Sequence, residues 1–226
     1  DQIKEFKTIF NKDIPLIGKE ELMKTFEEKK NEDEKLFTHI DEMSSFYLAR
    51  KFLYPDMKSI NRILKVRKYL KSKFTQEKTF SILDYGCGAA FPSLFCSTQG
   101  DKSTICDIGG VLNAAIERFK RRGINVNPHE ATPSDPISNC GNDFDVIICD
   151  EVIEHVRYPL DLLKMLKSSL APNGVLILGS FPFTPTVAIG DHLKESVDNQ
   201  KDLKEWIYEN FKPLIINDCD NTFEHI

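Results

Sequence analysis

The sequence lacks the patterns of membrane-spanning, disulfide-stabilised and nucleic-acid-binding proteins. No apolar run approaches the roughly 18 residues that a membrane span needs, and no signal-peptide pattern opens the chain. Six cysteines occur in 226 residues without one C-x-x-C pair, which is typical of a reduced, cytoplasmic protein. The formal net charge of −5 provides no general basic face, so we expect no nucleic-acid partner. The densest basic run, "RFKRRG" at 118–123, is interpreted as a solvated helix end.

Glycine is also scarce in the first third of the chain, where Gly18 stands alone. The run "DMKSINRILKVRKYLKSKF" at 56–74 carries apolar residues at helical spacing with lysines between them. The apolar positions of this run are Ile60, Ile63, Leu64, Tyr69 and Leu70. An apolar helical face must be buried, so the pattern predicts a helical cap over residues 1–75 that packs on a domain of residues 76–226.

From residue 79 onward, short apolar runs alternate with helical segments. The expected strands are "TFSILDYG", "KSTICDIGG", "INVNPHEA", "FDVIICDE" and "GVLILGSF", and the run after "KDLKEWIYENF" adds two more. The expected helices include "GGVLNAAIERFKRRG" and "PLDLLKMLKSSLAPNG", the second ending at a Pro-Asn-Gly stop. This alternation predicts an α/β, Rossmann-like fold with a mostly parallel seven-stranded sheet and helices on both faces.

Acidic residues end four successive predicted strands. They are Asp84, Asp107, Glu130, and Asp150 with Glu151. Ligands bind beyond the carboxyl ends of such strands, and a carboxylate-lined edge suits hydroxyl and amine donors while repelling a pyrophosphate. Gly86 and Gly88 follow the first strand, but Phe91 occupies the third glycine position of the dinucleotide fingerprint. A nicotinamide-dependent oxidoreductase, or a tight turn without any ligand, stays an alternative.

The segment "LDYGCGAAFPS" resembles the D-x-G-x-G motif of the class I methyltransferases that use S-adenosylmethionine, and later segments match in order over about residues 79–226. Ala90 departs from the third glycine of many members. The resemblance implies that the chain methylates an acceptor with S-adenosylmethionine as cofactor. It assigns the methionine part to Asp84 and the Gly86–Gly88 loop with Cys87, the ribose to Asp107, and the adenine to Glu130 and Ala131. Ile108 and Asp150 complete the expected cofactor-binding set.

A second motif, "DEVIEHV", follows the fourth predicted strand. If residues 151–156 begin a helix, Glu151, Glu154 and His155 share one face. With His192 downstream, the arrangement is similar to E-x-x-E-H sites of the ubiquinone-pathway O-methyltransferases and the small-RNA 2′-O-methyltransferases. This similarity implies a metal site of Glu151, Glu154, His155 and His192 for Mg²⁺ or Mn²⁺, and catalytic roles for His155, His192 and Glu151. A metal-free base and a purely structural role stay open.

The acceptor is the least constrained part of the prediction. A hydroxyl of a small molecule is favoured, because imidazole and carboxylate groups serve to remove its proton. An amine acceptor, a carrier-bound intermediate of a multidomain synthase, and a non-catalytic nucleoside-binding module are alternatives. His129 has no partner pattern in the sequence, so we expect it to lie on the surface or to be hydrogen-bonded.

Overall fold

The computed structural model describes Thr8 and residues 57–74, 77–132, 140–179, 181, 194–214 and 222–225. Most of the predicted cap and His192 lie outside the described residues, so the boundary at residue 75 stays a prediction. None of the described helices is long and apolar enough to span a membrane.

Helices and strands alternate through the described ranges much as the sequence predicts. The helices are α1 (Met57–Lys73), α2 (Phe91–Thr98), α3 (Gly109–Arg121), α4 (Pro159–Ser169), α5 (Lys194–Asp198) and α6 (Gln200–Asn210). The strands are β1 (Ser81–Tyr85), β2 (Lys102–Asp107), β3 (Asn127–Glu130), β4 (Phe144–Cys149), β5 (Leu170–Leu178), β6 (Phe211–Pro213) and β7 (Thr222–His225).

The strands form one seven-stranded sheet in the order β3-β2-β1-β4-β5-β7-β6. Strands β1 to β5 pair in parallel, and β7 runs antiparallel between β5 and β6. The Rossmann-like α/β prediction is confirmed. The chain winds outward from β1 through β2 to β3 and then returns to place β4 on the other side of β1. The strand order therefore reverses at β1 and β4, which is where such sheets bind ligands.

One strand begins earlier than the sequence suggests. We expect the Pro-Asn-Gly run at 172–174 to stop the helix, but α4 already ends at Ser169 and β5 begins at Leu170. The register between β4 and β5 shifts between Phe144 and Val146. A Cβ on Gly174 would lie 2.8 Å from the Phe144 carbonyl oxygen, so glycine permits the close approach of the two strands at this irregularity.

Both faces of the sheet are covered by apolar helix surfaces. Helix α1 buries Ile63, Val66 and Leu70 completely on one face, whereas its predicted core residue Leu64 is 40% exposed. The other face packs against Leu162, Leu163 and Leu166 of α4 and Leu203 and Ile207 of α6. Each such side chain contributes about 1.5–3 kcal/mol when buried. The strand ends near β1 and β4 therefore rest on a well-packed core.

Candidate functional site

The loop after β1 has an unusual backbone. Gly86, Gly88 and Ala90 adopt positive φ angles of 68°, 53° and 52°. The N–H groups of Gly86 and Cys87 both donate to the Cys106 carbonyl oxygen, at 2.8 and 3.1 Å. The Cys87 side chain is buried in an apolar cluster. Left-handed conformations are natural for glycine and cost a residue such as alanine roughly 1–2 kcal/mol.

Gly86 also leaves room for the segment after β4. A Cβ on Gly86 would lie 2.3 Å from Val152 Cγ2, which is closer than non-bonded carbon atoms approach each other in proteins. Val152 belongs to the E-V-I-E-H motif, so that motif lies directly against the loop. The two sequence motifs therefore meet at the edge where β1 and β4 end.

Asp107 ties this loop to the end of β2. Its Oδ2 accepts the Gly88 N–H at 2.7 Å, and its Oδ1 accepts the Ile108 N–H at 2.8 Å. Burial raises the pKa of Asp107 from 3.8 to about 6, while these two backbone hydrogen bonds act in the opposite direction. A carboxylate oxygen can accept more than one hydrogen bond. Asp107 can therefore accept further hydrogen bonds, and the glycines of the adjacent loop leave space beside it. A carboxylate in this position suits the ribose hydroxyls of a nucleoside cofactor.

Glu130 lies next to Asp107 at the same edge. The two residues are register partners between β2 and β3, and the Ala131 N–H donates to the Asp107 carbonyl oxygen at 2.9 Å. The Glu130 side chain is exposed. The structure thus brings Asp107, Glu130 and Ala131 together as the resemblance implies, and their contacts with a cofactor remain predictions.

Asp84 lies beneath the loop and is only 3% exposed. Its Oδ2 accepts the Ser93 hydroxyl at 2.5 Å, which links β1 to the first turn of α2. Burial raises the pKa of Asp84 from 3.8 to about 7, and the Ser93 hydrogen bond partly opposes this shift. In this geometry Asp84 supports the loop from below. Ser93 could not be singled out from the sequence, since serines are common at helix starts.

Arg118 corrects the interpretation of the basic run at 118–123. It is 1% exposed, and its Nη1 donates to the Ala89 carbonyl oxygen. The guanidinium carbon lies 4.1 Å from the centroid of the Phe91 ring, which is close enough for a cation–π contact. Only the later basic residues of the run are solvated. Arg118 therefore supports the loop from α3, and the solvated interpretation is wrong for this residue.

Asp150 is paired within the protein. Its carboxylate accepts hydrogen bonds from Ser59 and from Arg62, whose Nη1 lies 3.2 Å from both carboxylate oxygens. The carboxylate fills the space that Gly179 leaves, since a Cβ there would lie 1.0 Å from Asp150 Oδ1. These contacts join α1 to the ends of β4 and β5. A cofactor contact by Asp150 stays a prediction.

The E-V-I-E-H segment does not form the expected helix. Residues Ile153–His155 make a single 3₁₀ turn, preceded by Glu151 at a φ of 57°. Ile153 is buried in the core, and this anchors the turn and breaks the shared helical face. Glu154 is fully buried, whereas the Glu151 and His155 side chains are exposed. The His155 Nε2 lies 3.9 Å from Glu154 Oε1.

This arrangement gives the predicted Mg²⁺ or Mn²⁺ site no support from the described residues. Within those ranges, the donor atoms of Glu151, Glu154 and His155 do not form a cluster of metal-ligand spacing. His192, the fourth predicted ligand, lies outside the described residues. The metal site at this motif therefore stays a prediction.

The chain is similar to a protein family and to individual known proteins. The methyltransferase domain family matches residues 25–215. The ubiquinone biosynthesis O-methyltransferase of Rickettsia prowazekii is 30% identical over 122 residues, which are 53% of this chain and 47% of that protein. Its namesake from Actinobacillus pleuropneumoniae serotype 5b is 32% identical over 104 residues, 44% of each chain. A crystal structure of a Pyrococcus horikoshii protein is 26% identical, with a TM-score of 0.42, and covers 55% of this chain and 58% of that one.

The curated relatives match over a little under half of their own length. The family match, in contrast, includes all of β1 to β6 and both motifs of the strand-end site. It decides between the methyltransferase and nicotinamide interpretations of that site. The chain therefore belongs to the class I methyltransferases, the family that uses S-adenosylmethionine.

Proposed function

We propose that this enzyme transfers the methyl group to a hydroxyl of a small-molecule acceptor, with His155 as the base. The observation that carries the proposal is the position of His155, which is 38% exposed on the segment that lies against the glycine loop through Val152. A base must be reachable by an acceptor and close to the cofactor. His155 is the exposed imidazole that the described residues place on this segment.

Bound S-adenosylmethionine supplies an electrophilic methyl group, and the chain's own residues align and deprotonate the acceptor. Asp107 and Glu130 hold the nucleoside, and the Gly86–Gly88 loop supports the methionine part. His155 takes the hydroxyl proton at a ring nitrogen. The buried carboxyl group of Glu154, whose Oε1 lies 3.9 Å from His155 Nε2, stabilises the positive charge that the ring acquires.

The relatives support an oxygen acceptor. The curated proteins reported above are named O-methyltransferases. Since they match over less than half their length, the acceptor of this chain does not follow from their names. An amine acceptor and a carrier-bound acceptor remain the alternatives. The buried cysteines at 87, 96, 106, 140 and 149 form no disulfides, which supports the proposed reducing, cytoplasmic location.

A pair of matched acceptors tests the proposal. The purified chain is incubated with labelled S-adenosylmethionine and either 3,4-dihydroxybenzoate or 3,4-diaminobenzoate, in chelator and in Mg²⁺. We expect a methyl ether of the dihydroxy compound in both buffers, identified by mass spectrometry. Methylation of the diamine but not of the diol contradicts the hydroxyl assignment. Turnover that requires Mg²⁺ contradicts the metal-free role of His155 and favours the predicted site with Glu151, Glu154 and His192.

Substitution of the base separates binding from chemistry. His155→Gln should lower kcat by about 10²- to 10⁴-fold and leave S-adenosylmethionine affinity unchanged. Tyr158→Phe, three residues further on and 68% exposed, is the matched control and should keep full turnover. Equal kcat in His155→Gln and wild type contradicts the assignment of the base.

A further inference from the structure

Three potential metal ligands meet on the face of the sheet that α4 and α6 cover. Cys106 lies in β2, His129 in β3, and Cys140 just before β4. The two thiol sulfurs and an imidazole nitrogen all lie within 4.8 Å of one another. Among the described residues this is the one group of three such donors at this spacing. The residues are far apart in the sequence, so the sheet itself assembles the group.

Strand register explains why the group forms. Cys106 and His129 are direct partners in the parallel β2–β3 ladder, so their side chains project from the same face. Cys106 and Cys140 both belong to the core cluster on the α4 and α6 side, and their thiols are hydrogen-bonded to each other. Asp107 and Glu130 follow Cys106 and His129 directly, and side-chain alternation turns them to the opposite face.

His129 carries an unsatisfied atom at this position. Its Nε2 is buried and has no hydrogen-bond partner. The expectation of a surface or hydrogen-bonded histidine is therefore wrong for this nitrogen. A buried polar atom without a partner loses its hydrogen bonds to water and gains none, so such atoms call for an explanation. Because one nitrogen of the same ring lies within 4.8 Å of both sulfurs, a cation bound there would give the imidazole a partner.

We propose that Cys106, His129 and Cys140 bind a Zn²⁺ ion at a site separate from the methyl-transfer site. Sulfur and imidazole ligands favour Zn²⁺ over Mg²⁺ or Mn²⁺, which prefer oxygen. Binding replaces the two thiol protons, which are released to solvent, and leaves the imidazole neutral. Three protein ligands leave the fourth position of a tetrahedral ion to a further ligand.

Such an ion would link the edge strand to the core. Strand β3 is four residues long and lies at the edge of the sheet, with β2 as its neighbour. An ion held by all three residues fixes β3 against β2 and against the start of β4. Because Asp107 and Glu130 come next in the same two strands, the ion also fixes the cofactor edge. The role is structural, and it is independent of the acceptor and of His155.

Metal titration of the reduced, chelator-stripped full chain tests the site without any acceptor. We expect one Co²⁺ per chain, with a thiolate-to-cobalt charge-transfer band and the d–d bands of tetrahedral cobalt. One equivalent of Zn²⁺ should displace the Co²⁺ and raise the Tm. A cobalt spectrum without a charge-transfer band, or no stoichiometric binding of either ion, overturns the proposal.

Single substitutions locate the ion. His129→Gln and Cys140→Ser should each weaken Zn²⁺ binding at least about tenfold. Cys96→Ser is the matched control, since Cys96 is a buried free cysteine in the cluster on the other face, and it should bind Zn²⁺ as wild type does. Unchanged affinity in His129→Gln, which removes a half-buried side chain from an edge strand, overturns the assignment even if Cys140→Ser misfolds. Oxidation to a Cys106–Cys140 disulfide in a chain that binds no Zn²⁺ also overturns it, and would make the pair a redox couple.

Discussion

Val152 occupies the space that the missing side chain of Gly86 leaves free. A Cβ on Gly86 would lie 2.3 Å from Val152 Cγ2 and 3.3 Å from Cγ1. The glycine loop and the E-V-I-E-H segment are thus packed against each other at the end of the sheet. A displacement of either one displaces the other, so the cofactor loop and the proposed base are coupled through this contact.

Gly86→Ala should therefore destabilise the protein more than a positive φ alone explains. Gly123→Ala is the matched control, because Gly123 has a φ of 63° but nothing within 4 Å of a built Cβ. The control should lose roughly 1–2 kcal/mol of unfolding free energy, and Gly86→Ala clearly more, as measured by urea unfolding. The double variant Gly86→Ala with Val152→Ala should recover part of the difference. Equal losses at the two glycines would show that Val152 does not restrict the loop.

Replacing Ala90 with glycine should stabilise the protein. It adopts a φ of 52°, a left-handed conformation that favours glycine. Ala90→Gly removes the left-handed strain but adds chain entropy in the unfolded state, so we expect a net gain of up to about 1 kcal/mol. The control Ala115→Gly, in the buried middle of α3, should lose about 1 kcal/mol. A loss of similar size in Ala90→Gly contradicts the strain account.

Arg118 should contribute far more to stability and to cofactor binding than Arg121 of the same helix. Arg118→Met removes the hydrogen bond to Ala89 and the contact with Phe91, and hydrogen bonds from charged groups contribute about 1.5–3 kcal/mol. We expect lower unfolding free energy and weaker S-adenosylmethionine binding. Arg121→Met is the control, because Arg121 is exposed and pairs with Glu117 one turn away. If the two variants behave alike, the support of the loop by Arg118 is refuted.

The buried carboxyl of Asp84 predicts how stability changes with pH. Its pKa rises from 3.8 to about 7 on folding, so between these values the folded chain binds more protons than the unfolded chain. Its contribution to the unfolding free energy must then decrease as pH rises from about 4 to 7. Asp84→Asn should flatten this part of the stability profile, whereas Asn in place of the exposed Asp161 should leave its shape unchanged. A profile with the same slope in Asp84→Asn and wild type contradicts the burial account.

The sequence predicts the features that depend on local pattern. Alternating apolar runs and helical segments indicate the sheet, and acids at strand ends indicate the edge where Asp107 and Glu130 meet. Features that depend on tertiary contacts escape such reasoning. In the sequence Arg118 cannot be distinguished from its basic neighbours, because its burial depends on the packing of α3 beneath the loop. Residues 151–156 have helical spacing in the sequence, but burial of Ile153 in the core gives them a different conformation. Cys106 and His129 each directly precede an acidic residue that ends a strand, so the sequence could have indicated that they are neighbours. Nothing in the sequence indicates that Cys140 joins them.

The most direct test of the cofactor site is calorimetric titration of the purified chain with S-adenosylmethionine. We predict micromolar binding to wild type and to His155→Gln, and a loss of at least about tenfold in Asp107→Asn, whose folding is verified by thermal unfolding. Affinity for wild type should also rise as pH passes through about 6, where Asp107 ionises. No binding to the wild-type chain, or equal affinity in folded Asp107→Asn, would contradict the site described for this methyltransferase.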